Sequence, residues 1–123
     1  MEYRLVIPGK LHNLNDYISA ERSNRYIGAQ MKKVDQNTIF HHARRQLRGV
    51  KIERPVFMEY VWYEENRMRD KDNISSYGRK VIQDGLVQAH VLRGDGWSHI
   101  DGFSDRFEVD AGNPRIEVKI REV

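Results

Sequence analysis

The chain of 123 residues predicts an α/β fold of the α+β type: one small domain over 1–123, a mixed β-sheet and two main helices in the order β-α-β-α-β-β. Three features carry that prediction. Two stretches, near Arg25–Leu47 and from Asn73 onward, repeat their apolar residues at helical spacing. The run Pro55–Tyr63 is dense in β-branched and aromatic residues and has no glycine. Turn-forming clusters such as Pro8-Gly9, Gly94-Asp95-Gly96 and Asp110–Pro114 punctuate the remainder.

Taken in order, Glu2–Ile7 reads as a short strand ended by Pro8-Gly9, and Asn13–Ile18 as a helical turn or ordered loop. In the first long helix Ile27, Met31, Val34, Ile39, Ala43 and Leu47 recur at steps of 4, 3, 5, 4 and 4, giving an apolar stripe under a basic outer face. Gly49 follows where a left-handed cap is easiest. Pro55–Tyr63 is expected to be a strand covered on both faces except at Glu59. The second helix, capped by Asn73, carries Ile74, Gly78, Val81, Gly85 and Ala89 on one stripe, and its glycines predict a close neighbour. Phe103–Val109 and Arg115–Ile120 alternate well enough to be a directly paired hairpin across the Asp110–Pro114 turn.

Composition narrows the function. With 39% hydrophobic and 10% aromatic residues the chain can build a core, despite a mean hydropathy of −0.76. Without cysteine there is no disulfide framework, zinc–thiolate site or thiol nucleophile. No apolar run approaches the roughly 20 residues of a membrane helix. Residues 1–10 hold too short an apolar stretch for a signal peptide, so the expected compartment is the cytoplasm and no membrane partner is expected. Net charge is only +3, from 21 basic and 18 acidic residues. Its distribution is uneven: Glu21–Lys51 holds eight basic and two acidic residues, a local +6, and the remainder sums to −3. That separation suits a chain that grips a polyanion with one part and holds a cation with another, although a solvated helix face has the same composition.

The most informative segment is Arg69-Asp70-Lys71-Asp72-Asn73. In extended chain its two carboxylates, two residues apart, project to one side, and in a partly buried site both stay ionised only beside a cation. Mg²⁺ takes oxygen ligands and keeps several waters, so one or two carboxylates plus a substrate phosphate hold it. The plainer alternative is an Asx turn capping the helix. A calcium EF-hand starting at Asp70 is excluded, because Ile74, Ser75 and Val81 fall where that loop needs an oxygen ligand, glycine and glutamate. Asp95 is a third acid, in a glycine-flanked turn. Lys80, seven residues after Asn73, shares the face of the helix start and is suited to a phosphate or a leaving oxygen; its plainer role is an i,i+4 pair with Asp84. His41 and His42 are adjacent and point about 100° apart on a helix, so they do not share a metal. Tyr60, Trp62, Phe103 and Phe107 read as core or interface, and Trp97 stays ambiguous beside Asp95.

Arg69–Ile74, then Lys80-Val81-Ile82-Gln83-Asp84-Gly85-Leu86, then Asp95–Ile100 resemble the RusA family of Holliday junction resolvases. The chain is most similar to the prophage-associated branch, through Ile7-Pro8-Gly9 at the start and Asn113–Val118 at the end. The resemblance implies a Mg²⁺-dependent (or Mn²⁺-dependent) endodeoxyribonuclease that cuts four-way DNA junctions symmetrically as a homodimer. It implies that Asp70, Asp72 and Asp95 are metal-binding and catalytic carboxylates and that Lys80 is the catalytic lysine. Two departures stand out: Lys80 fits only after a four-residue insertion, with Ser76 at the family's lysine position, and Gly94 replaces the first of two adjacent acids. They motivate the alternative of a non-catalytic junction-binding module on the same fold; a small RNA-binding protein ranks last. The side chains expected on DNA phosphates are Arg22, Arg25, Lys32, Lys33, Arg44, Arg45, Arg69, Lys71 and Arg79. Under the nuclease reading Asp72→Asn abolishes cutting, leaves DNA binding intact and raises metal-free stability by relieving carboxylate repulsion.

Overall fold

The computed structural model describes every residue from Met1 to Val123. Its elements are β1 (Glu2–Pro8), α1 (Leu14–Ser23), α2 (Arg25–Gln46), β2 (Val56–Glu64), α3 (Lys71–Gln88), β3 (Ile100–Val109) and β4 (Arg115–Glu122). The α/β class, the mixed sheet and the two long helices follow the sequence reading. The ordered segment after β1 is a full helix, α1, started by a capping box in which Asn13 and Asp16 bond each other's backbone. Asn24 alone separates α1 from α2 and caps the second helix by accepting from the Tyr26 amide. No helix is long and apolar enough to cross a membrane.

The sheet order is β1-β4-β2-β3, with β4 antiparallel to β1 and β2, and β3 parallel to β2. The expected β3–β4 hairpin is therefore not formed. Helix α3 carries the chain from β2 to a parallel partner, which places β3 on one side of β2. The turn after β3 then passes the end of β2, where the Asp110 amide bonds the Glu64 carbonyl at 2.8 Å. That brings β4 in on the other side, where Ile116, Val118 and Ile120 add an apolar row. Strand β3, with Ser104, Asp105, Arg106 and Glu108, suits an edge better than a centre.

Strand β2 also differs from its expectation. Val56, Met58, Tyr60 and Trp62 are buried, whereas Phe57, Glu59, Val61 and Tyr63 are only half-buried. The helices cover one face of the sheet, and the other is laced with charge: Arg121 lies over Phe57 and Arg115 over Tyr63, at 5.2 and 3.7 Å from the ring centres.

Two glycines of α3 set the packing distance. A Cβ on Gly78 would come within 2.6 Å of the Trp62 ring, and one on Gly85 within 2.6 Å of the Ile39 side chain and 3.2 Å of the Gln36 carbonyl on α2. In α2 the buried stripe runs through Gly28, Asp35, Ile39 and Ala43 to Leu47. Ile27 and Val34, expected inside, are 51% and 58% exposed. The step of five between Val34 and Ile39 marks the error: a helix keeps face with steps of three and four, and Asp35 is the residue four before Ile39.

Gly85→Ala is expected to destabilise the fold by about 1–3 kcal/mol through overpacking against Ile39 and Gln36. Urea unfolding followed by circular dichroism checks it.

Candidate active site

The segment that joins β2 to α3 is anchored before it reaches its acidic residues. Glu64, the last residue of β2, is buried, and its carboxylate takes both Nε and Nη2 of Arg69 at 2.8 Å. The remaining Arg69 nitrogen, Nη1, donates to the Leu11 carbonyl at 2.8 Å. This planar two-bond pair fixes the loop at both ends and holds residues 10–12 against it. Lys10 adds an ion pair with Glu65, which keeps the Glu65 carboxyl below the usual glutamate range.

Asp70 follows directly. It occupies the N-cap position of α3, with φ −72° and ψ 140°, yet its carboxylate makes no capping bond. Asp72 lies inside the first turn of the helix, so the two acids do not sit on one side of an extended strand. The helix begins at Lys71 with Asp70 at its N-cap, three residues before the Asn73 cap expected from sequence. Neither carboxylate has a hydrogen-bond or ion-pair partner in the protein, and the simple capping role for Asp70 is not the one observed. Both line a polar cleft shared with Asn66, Arg67, Lys71 and the Phe107–Val109 end of β3. Lys71 lies over the Phe107 ring at 5.7 Å. The amide-rich start of α3 favours negative charge here.

Asp95 goes elsewhere. Its carboxylate pairs with Lys80 Nζ at 2.5 Å, and the same ammonium meets Asp84 at 3.1 Å. The Asp95 hydrogen bond, then that of Asp84, pushes the Lys80 ammonium above the usual lysine value, and the Lys80 bond holds Asp95 below the usual aspartate value. Lys80 is eight residues beyond Asp72, roughly 12 Å along the helix axis. No three acidic or histidine side chains converge closely enough to hold one ion between them. The donor chemistry of Asp70 and Asp72, carboxylate oxygens without protein partners, fits Mg²⁺; Asp95, bonded to Lys80, is not brought to them. The glycine before Asp95 has a local reason, since a Cβ on Gly94 would come within 2.8 Å of the His99 ring. Trp97, two residues on, is fully exposed.

The basic residues divide into two groups. Arg69 is committed to Glu64 and Leu11, and Arg79 to Asp105 while lying 4.4 Å over the Phe103 ring, so neither guanidinium is free for DNA in this conformation. Asp105 also accepts from the Trp62 indole. Arg22, Arg25, Lys33, Arg44 and Lys71 are exposed and lack an acidic partner; Arg44 lies over Phe40, Arg45 meets the His42 ring, and Lys32 is 3.9 Å from Asp84. Burial and the neighbouring Arg45 lower the His42 pKa. Sequence reasoning missed Glu64, whose only signal is an acid closing an apolar strand, and the buried Asp35 with its partners His12 and Tyr77. No family model matches the chain, and no curated protein matches it in sequence.

Two expectations follow from these pairs. Glu64→Gln leaves Arg69 largely buried without its counter-charge and is expected to cost on the order of 3 kcal/mol in chemical denaturation. Asp95 is expected to titrate below the ordinary aspartate range in carboxyl ¹³C NMR. Its depressed value means the link stabilises the fold above the ordinary aspartate pKa and fails as pH drops through the depressed one; Lys80→Gln should move Asp95 back up toward the ordinary range.

Proposed function

We propose that the chain is a metal-dependent, structure-selective endodeoxyribonuclease that cuts four-way DNA junctions, working as a homodimer in the cytoplasm. The observation that carries the reading is the pair Asp70 and Asp72: two carboxylates without protein partners, both lining a polar cleft beside the anchored Arg69. The resemblance of Arg69–Ile74, Lys80–Leu86 and Asp95–Ile100 to junction resolvases supports the same assignment.

Phosphodiester hydrolysis requires neutralisation of charge on the phosphoryl oxygens and an activated water. Asp70 and Asp72 would hold Mg²⁺ through their carboxylate oxygens, and the ion would supply the first as a Lewis acid. Lys80 uses two of its three ammonium donors on Asp95 and Asp84, which leaves one for a phosphate oxygen. The exposed, unpaired cations of α1 and α2 bind flanking phosphates without reading bases, so affinity falls steeply with salt. A two-fold dimer matches the paired cuts that a two-fold junction needs.

A second reading, a junction-binding module without catalysis, is favoured by the Lys80–Asp95 bond, which occupies the third acid of the motif. Cleavage of a labelled four-way junction beside linear duplex, with and without Mg²⁺, separates the two. The nuclease reading expects paired, metal-dependent nicks in the junction alone, lost in Asp72→Asn by at least 10³-fold, with junction affinity retained. Tight binding without cutting in Mg²⁺ or Mn²⁺ selects the module. The stability gain expected from sequence for Asp72→Asn is revised: a negative charge in the first helical turn is itself favourable by about 0.3–1 kcal/mol, so relief of repulsion is offset.

A further inference from the structure

The chain leaves α2 and α3 through two turns that meet. Ile52 and Leu92 form a parallel bridge, and the Ile52 amide bonds the Val91 carbonyl at 2.9 Å. Each exit needs a left-handed backbone, supplied by Gly49 at φ 77° after α2 and by His90 at φ 62° after α3. Glycine takes that conformation freely, whereas a Cβ crowds the following carbonyl. His90 is the only residue other than glycine with a positive φ. Its turn is the usual glycine cap: the Val91 amide bonds the Leu86 carbonyl and the His90 amide the Val87 carbonyl, both at 3.0 Å. A glycine would make the same bonds without strain, so the imidazole is carried here at a cost to the fold.

That imidazole belongs to a cationic hollow. His90, Lys51, Arg48 and Arg44 line one cavity of about 240 Å³ between the two helix ends, and no acidic residue lines it. All four are exposed, and none of their side chains makes an ion pair or hydrogen bond within the protein; Arg44 only lies over the Phe40 ring at 5.6 Å. The adjoining hollow shares Lys51 and His90, and its one acid, Glu53, is already held by Arg93 at 2.8 Å. Cations in the last turn of a helix ordinarily answer its dipole, and Arg44 fits that role. Arg48 and Lys51 do not, since they lie past the end of α2, and α3 has no basic residue in its last turn.

We propose that this hollow is a phosphate-binding site, with Arg48 and Lys51 as its main charges, Arg44 at its side and His90 as a hydrogen-bond donor. The ligand is a tetrahedral oxyanion, either a phosphodiester of a nucleic-acid backbone or free phosphate. Arginine and lysine meet its oxygens with charge-assisted bonds, and a neutral imidazole still offers one N–H. The site is separate from the Asp70–Asp72 cleft. That cleft lies at the start of α3 and the hollow at its end, 18 residues or about 27 Å along the axis. The assignment is therefore independent of whether the chain cuts DNA.

The test follows the His90 imidazole by NMR at pH 8 while sodium phosphate is added against sodium chloride of equal ionic strength, and separately while a short linear duplex is added. Calorimetry then gives the affinity of wild type and of His90→Gly for whichever probe responds. Imidazole is neutral at this pH, so His90→Gly leaves the net charge unchanged and a weaker affinity is not a general electrostatic effect. A saturable shift of the His90 resonances is expected, lost in Arg48→Gln/Lys51→Gln. His90→Gly is expected to melt about 2–6 °C above wild type, because the strain is gone, yet to bind at least about threefold more weakly, because the donor is gone. A shift with duplex alone identifies the nucleic-acid backbone as the ligand, and a shift with phosphate alone identifies the free anion. The proposal is overturned by no saturable shift with either probe, by a shift that survives Arg48→Gln/Lys51→Gln, by affinity of His90→Gly within about threefold of wild type, or by a melting temperature no higher than wild type.

Discussion

The Glu64–Arg69 pair is the constraint on which the candidate site depends. Glu64 ends the central strand and Arg69 ends the loop before α3, so their two parallel bonds close a five-residue excursion at the edge of the core. Because both groups are largely buried, neither is released without leaving an unpaired charge, and the loop has one arrangement rather than many. The third nitrogen of the same guanidinium ties in Leu11, which brings the segment after β1 to the cleft. Asp70 and Asp72 inherit their positions from this anchor. An arginine next to two aspartates would ordinarily neutralise one of them; here it is engaged elsewhere, and the two carboxylates stay open.

Packing distance is the second constraint. Helix α3 lies close on β2 and α2 because Gly78 and Gly85 have no side chain, with Trp62 and Ile39 filling the space a Cβ would take. That close seat lets Tyr77 reach Asp35 on α2 and lets Arg79 reach Asp105 on β3. The acidic and basic groups of α3 are thereby sorted along its length: open carboxylates at the start, a buried polar knot one turn on, and the Lys80–Asp84–Asp95 cluster beyond.

Charge on the surface follows a related division. Cations near the sheet and the cleft are mostly paired or stacked on aromatic rings, while several on α1 and α2 have no acidic partner.

How much of this was legible follows from the range of the interactions involved. Hydrophobic periodicity and turn chemistry act over a few residues, so the sequence alone determined the α/β class, the two long helices, most strand limits and the acidic motif at 70–72. Strand order depends on which row of side chains fills the centre of the sheet, and placing β4 between β1 and β2 required the whole core. The inward turn of Asp35 was hidden for the same reason: its donors are 23 and 42 residues away, and by local pattern Val34 is the better apolar choice. Only the tertiary structure decided that Arg69 and Arg79 serve the protein's own carboxylates, that Asp95 bonds Lys80, and that Asp70 and Asp72 are left unpaired, because each outcome is a competition among charges brought together by folding.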